Sequence, residues 1–141
     1  MINNLEDFFQ PKQGIFLDTI SYKRIENDDV VKGVELSLLC QDNIRALLED
    51  DGVKITLTRS IKFEPPELFE LVVSYGSLLS FNEKKDEIDW SSINLAEEFR
   101  ENGAFVTTQL MSRIALLIGE ITSSYGQEPL ILPPRMVKER K

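Results

Sequence analysis

The sequence predicts an α+β domain: a four-stranded antiparallel sheet followed by one short and one long helix. Three observations carry that prediction. Residues 15–81 hold four runs in which apolar and polar side chains alternate, separated by polar or proline-containing breaks. Residues 94–103 hold a compact helix with start and stop signals at its ends. From Ala104 onward, Val106, Leu110, Met111, Ile114, Leu117, Ile118 and Ile121 recur at steps of three and four, which lines one face of a long helix. Strands first and helices afterwards point to an antiparallel sheet with helices on one side, not to alternating β-α units.

In order along the chain, residues 1–14 are expected to form an N-terminal arm, with Phe8 and Phe9 ahead of Pro11 as a short docking element or a frayed end. The first strand is expected over 15–25, IFLDTISYKRI. Phe16, Ile20 and Tyr22 share one face by period two, while Leu17 and Ile25 fall on the other. Residues 26–29 (ENDD) read as a polar turn. The second strand is expected over roughly 31–41, where Val34, Leu36, Leu38 and Cys40 alternate with polar residues. Residues 42–48 carry helix-forming side chains but lie between strands, and read as a long β connection with a helical turn left open within it. An Asp-Gly turn precedes the third strand at 53–63, whose inner set is Val53, Ile55, Leu57, Ile61 and Phe63. Arg59 interrupts that face, so it is expected near an edge or paired with a carboxylate.

Glu64-Pro65-Pro66-Glu67 breaks the sheet, because proline cannot donate to a ladder. The fourth strand, 68–81, puts Phe69, Leu71, Val73, Tyr75, Leu79 and Phe81 on one face, with Val72 and Leu78 opposite. Gly76 within it is expected to mark a bulge or a close approach of another backbone. The charge run 82–89 reads as solvated, with Trp90 anchoring the chain after it. Asn94 to Glu97 has the spacing of a capping box, and LAEEFREN follows with Leu95 and Phe99 inward and Gly103 at its end. The long helix is expected to reach Tyr125. Gly126 and Pro129 stop it, and an extended apolar strap, PLILPP, follows.

Composition bounds the function. The chain has 141 residues, the size of one domain, and a net charge of −8 with no histidine. That charge argues against nucleic acid as a partner, since such binding relies on neutralising phosphates. It reads as solubility, or as attraction for basic unfolded partners. Cys40 is the one cysteine, and it reads as a small core residue in a chain without an oxidised framework. The N-terminal stretch lacks a basic region followed by an apolar run, and the longest apolar run, 114–118, falls well short of the ~20 residues of a membrane span. Neither membrane insertion nor secretion is expected, and the cytoplasm is the expected location.

There is no phosphate-cradling glycine loop, serine-nucleophile motif or metal-ligand cluster, so no cofactor, metal or catalytic residue is expected and the chain does not read as an enzyme. The feature that asks for a function is surplus apolar surface: a long helix, a strand apolar on both faces and an apolar strap. One helix layer covers one face of a sheet, so a partner chain or an apolar ligand is expected to cover the rest.

Three stretches carry a resemblance to the SecB-like export chaperones. The first strand at 15–25, with DTISYKRIE at 18–26, resembles the family's first strand, LFELVVSYGSLLSF at 68–81 resembles its fourth, and ITSSYGQEPLILPP at 121–134 resembles its helix exit and strap. Their order and spacing span most of residues 15–134, which the resemblance makes a single SecB-like domain, with 135–141 as a basic tail. It implies a dimer of dimers with the long helices between sheets, so that Leu110, Ile114, Leu117, Ile118 and Ile121 become a subunit interface. It also implies ATP-independent holding of unfolded or export-bound polypeptides. By position, Phe69, Leu71, Val73 and Tyr75 and the strap residues Leu130, Ile131 and Leu132 are the implied polypeptide-binding set, although each is equally readable as core.

The chain also departs from that family. Ser112-Arg113 stands where the family has a Pro-Tyr pair, and Val72 stands where it has an acidic contact to the SecA motor. RMVKERK follows Pro134 in place of a second helix and acidic tail. These departures weaken SecA as a partner. They keep open a dedicated interaction protein serving one partner, such as an antitoxin or a phage or host protein.

Overall fold

The structure is a computed structural model that describes residues 2–26, 36–124 and 130–137. Four strands form one antiparallel sheet: β1 (Phe9–Ile25), β2 (Ser37–Leu48), β3 (Gly52–Glu64) and β4 (Leu68–Phe81). Their spatial order is β1-β4-β3-β2, so β1 and β2 are the edges. Two helices follow, α1 (Leu95–Asn102) and α2 (Ala104–Ser123), with α2 packed on β4 and β3 and α1 on β2. The expected α+β architecture is what is found. The turn at 27–29, the start of the second strand before residue 36, and the helix stop at Gly126 and Pro129 lie outside the described residues.

The inner face of the sheet is set by period two. Val53, Ile55, Leu57 and Ile61 of β3 and Phe69, Leu71, Val73 and Leu79 of β4 are buried, as the alternation predicts. β2 runs without interruption through 42–48, pairing from Asp42 with Arg59 to Leu48 with Val53. No helical turn forms there, because twelve residues of ladder with β3 outweigh the local helix preference of Arg45, Ala46 and Leu47. The β2–β3 hairpin closes with the Glu49 N–H donating to the Gly52 carbonyl at 2.8 Å.

β1 differs from expectation in two ways. It starts at Phe9, with Leu5, Phe8 and Phe9 all in the core, so most of the expected arm is woven into the domain. It also carries a bulge: Leu17 pairs with Tyr75 and Thr19 with Ser74, leaving Asp18 as the extra residue. The Asp18 carboxylate accepts from the Ser74 hydroxyl at 2.9 Å. One extra residue reverses the side-chain parity. Phe16 therefore lies on the outer face against Gly76, while Leu17 joins Ile20 and Tyr22 on the inner face, opposite Tyr75, Val73 and Leu71. Gly76 is needed there, since a Cβ at that position would fall 2.3 Å from the Phe16 ring. The close approach is by a side chain, and the bulge sits on the neighbouring strand.

An aromatic cluster closes the end of the sheet where β1 begins. Phe9 stacks on Phe81 at 5.2 Å between ring centroids, Trp90 packs on Phe81 at 4.9 Å, and Phe99 and Phe105 approach from the two helices. The Trp90 indole N–H donates to the Lys85 carbonyl at 2.8 Å, which makes it the expected anchor. α1 begins as the sequence predicts, with the Asn94 side chain accepting from the Glu97 N–H. Asn94→Ala is expected to cost about 1 kcal/mol, read as a lower denaturant midpoint. Gly103 ends α1 and starts α2, and a Cβ there would meet the Phe99 carbonyl at 2.3 Å.

α2 is long and apolar enough by composition to cross a membrane, but its apolar face is spent on the sheet. Val106, Leu110, Met111, Ile114 and Ile118 are buried.

Candidate functional site

The candidate site lies along α2, where the strap of residues 130–137 runs beside the helix. Three contacts define the strap's course. At its start, the Leu130 N–H donates to Thr122 Oγ1 at 2.7 Å, and that hydroxyl donates in turn to the Ile118 carbonyl at 2.8 Å. Gly119 lets the strap approach, since a Cβ there would come within 3.2 Å of Ile131 Cδ1. Leu130, Leu132 and Met136 pack half-buried on the core, while Ile131 is 75% exposed.

At its far end the strap meets an ion pair within the apolar inner face. Arg59 is fully buried and forks onto Asp42, with Nε donating to Oδ1 at 2.8 Å and Nη2 to Oδ2 at 2.9 Å. The remaining guanidinium capacity goes to the strap: Nη1 donates to the Pro133 carbonyl at 2.9 Å and Nη2 to the Arg135 carbonyl at 2.8 Å. The Val137 N–H donates to Asp42 Oδ2 at 2.6 Å. The chain bends at Pro134–Arg135 around the guanidinium. Burial opposes the charge on Arg59, but the hydrogen bonds and charge of Asp42 outweigh it and raise its pKa above arginine's ordinary value. The guanidinium stays charged.

Of the two readings left open for Arg59, pairing with a carboxylate is the one realised. Two opposite charges stand on the inward parity of adjacent strands, and that was the signal in the sequence. Asp42 was not singled out, because its stretch read as a connection.

Between α2 and the strap lies an open groove of about 450 Å³. Ala115, Leu116 and Gly119 form one wall, and Ile131, Leu132 and Pro134 form the other. Ser112, Glu120 and Ser123 edge it with polar groups. The surface offered is mainly methyl and methylene, with no nucleophile or acid–base pair facing it. Among the described residues no group of three or more His, Cys, Asp or Glu could hold a metal. Cys40 faces inward beside Arg59 and Asp42 and is half-buried; burial pushes its thiol pKa up, against the lowering effect of Arg59. A protonated thiol is a poor nucleophile.

The expected site residues separate into groups. Phe69 is 4% exposed and Leu71 and Val73 are both 0%, because the inward face of β4 is the floor under α2. They support a groove but have no surface for a ligand. Tyr75 is half-buried on the same face. Leu130 and Leu132 are half-buried, and Ile131 is open to solvent, so the strap does border the groove. Among the expected interface residues, Leu110, Ile114 and Ile118 are each 0% exposed and are used up within the domain. Leu117 and Ile121 remain half-buried, and Leu116, outside that set, is 65% exposed. A second apolar strip lies on the inner face of β1, where Leu17, Ile20 and Tyr22 are 42–48% exposed because α2 lies over β3 and β4.

No protein-family model matches the chain, and no curated protein matches it in sequence. Among solved structures, it is similar to the Mycobacterium tuberculosis SecB-like chaperone in complex with a ChAD peptide from the HigA1 antitoxin. The TM-score is 0.69 at 12% sequence identity, over 92% of this chain and 88% of the other. At that identity the likeness is one of fold. Four antiparallel strands under a long C-terminal helix, with a strap beside the helix, make this chain a protein of the SecB-like chaperone fold.

Proposed function

We propose that the protein is an ATP-independent holdase of the cytoplasm that binds unfolded or export-bound polypeptides in the groove between α2 and the strap. The observation that carries this reading is the groove itself: an open channel walled by Leu116, Ile131 and Leu132 on a fold whose solved relative was captured with a peptide. Aliphatic walls with a single charged side chain, Glu120, at the edge suit apolar segments of many sequences. The exposed strip of Leu17, Ile20 and Tyr22, with Leu117 and Ile121, supports assembly into a dimer or tetramer. Val72 takes the place of the family's acidic motor contact, so the proposal does not extend to SecA. The second reading is an interaction protein dedicated to one partner, and the antitoxin peptide on the solved relative favours it.

The test is suppression of aggregation of a heat-unfolded model protein without nucleotide, with assembly state read by light scattering. Leu116→Glu places a charge in the groove at an exposed helix position, so its cost to stability is expected within about 0.5 kcal/mol. It is expected to abolish suppression while leaving the thermal midpoint unchanged. Equal suppression by wild type and variant would remove the groove as the site. Pull-down of one stoichiometric partner, with no general suppression, would favour the dedicated reading.

A further inference from the structure

The Arg59–Asp42 pair has a feature that a core ion pair does not need. Among the described residues, all of its hydrogen bonds beyond the pair go to the main chain of the strap: the carbonyls of Pro133 and Arg135 and the N–H of Val137. None goes to a strap side chain. The strap has few other fixings, since Pro133, Pro134, Arg135 and Val137 are exposed and the Thr122 bond holds only its start. The groove depends on the strap because Ile131, Leu132 and Pro134 are one entire wall. An extended segment fixed at one end and along one edge keeps that wall at a set distance from α2. Released at Arg59, it would keep the Thr122 bond at its start and three half-buried apolar contacts.

We propose that Arg59 and Asp42 are positioning residues for polypeptide binding: a buried latch that grips the strap through its backbone and so sets the groove between strap and helix. This rests on the holdase reading above. Neither residue touches the bound segment. Their effect on affinity passes through the strap, and because the grip is on the main chain it is indifferent to strap side chains. Arginine is needed in this position because its planar fork serves a carboxylate and two carbonyls together, and the single ammonium of lysine does not.

The test uses the full chain and a fluorescently labelled, permanently unfolded polypeptide as probe, with hydrogen exchange read by segment. In Arg59→Lys, exchange in 130–137 is expected to rise, and probe affinity to fall, each by about tenfold, the scale of a lost charge-assisted bond. β3 and β4 are expected to stay protected. Because a buried substitution can unfold the domain, Val137→Pro is the second variant. It deletes the N–H given to Asp42 from an exposed position, and is expected to loosen the strap and weaken binding in the same direction. Val137→Ala keeps that N–H and is expected to change neither. A strap that loosens in Val137→Pro while affinity holds overturns the latch and leaves the holdase reading standing. So does a Val137→Ala effect equal to that of Val137→Pro. No probe binding by the wild type overturns both.

Discussion

Asp42→Ala is expected to cost about 3–5 kcal/mol of folding stability, the scale of removing one partner from a buried ion pair. The reason is asymmetry. Arg59 is wholly buried, and although the variant removes the Asp42 interactions that raise its pKa, arginine is so strongly basic that it cannot escape by losing its proton. Without Asp42 its Nε and one bond of Nη2 lose their acceptor inside an apolar sheet face flanked by Leu57 and Ile61. The strap loses the acceptor of the Val137 N–H as well. The double variant Asp42→Leu with Arg59→Leu is expected to be far more stable than the single one, because replacing both charges with apolar groups is often neutral or better. Urea denaturation of the two variants decides the point. A loss below about 1 kcal/mol in Asp42→Ala would mean that water reaches the guanidinium and solvates it. In the double variant the strap carbonyls turn to solvent, so stability returns and latch function does not.

Elements fixed by local alternation were legible in the sequence, and features fixed by geometry between elements were not. β4 is found at 68–81 as expected, and α1 is found with its Asn94 cap, because each follows from side chains within the element. The faces of β1 were misassigned at Phe16 and Leu17, which exchange sides relative to Ile20 and Tyr22. A bulge is a choice of register between two strands, and nothing in IFLDTISYKRI marks Asp18 as the residue to be left unpaired. The arm's two readings, docking and fraying, are left open by the sequence for a similar reason. Leu5, Phe8 and Phe9 lie in a short polar-flanked stretch, and their burial depends on Trp90 and Phe99 arriving from about eighty residues away in sequence. The strap was visible as an apolar extended segment beside a helix. Its latch was half visible, since Arg59 stood out against its strand but its partner lay in a stretch read as a connection.

The second large effect is expected in the aromatic cluster. Phe99→Ala should lower stability by about 3–5 kcal/mol, the range for emptying a fully buried aromatic site. Phe99 is 0% exposed and is the point where the head of β1, distant in sequence, meets the consecutive helices α1 and α2. Its ring lies 5.8 Å from Phe9 at the head of β1 and 6.1 Å from Phe105 in the first turn of α2. Collapse into the cavity is obstructed, because the Gly103 N–H holds the Phe99 carbonyl at 2.9 Å and the sheet fixes Phe9. Phe105→Ala, at a half-buried ring, is expected to cost less, so the difference between the two variants measures closure of the cluster and not aromatic content. Phe99→Leu is expected to recover most of the loss. α2 is oriented at its start by this cluster and at its end by Thr122 and the strap. Phe99→Ala should therefore raise hydrogen exchange in residues 5–10 and 104–110 before it affects the strap. If exchange rises in the strap first, the C-terminal anchorage of α2 is the weaker of the two, and the groove is the labile part of the molecule.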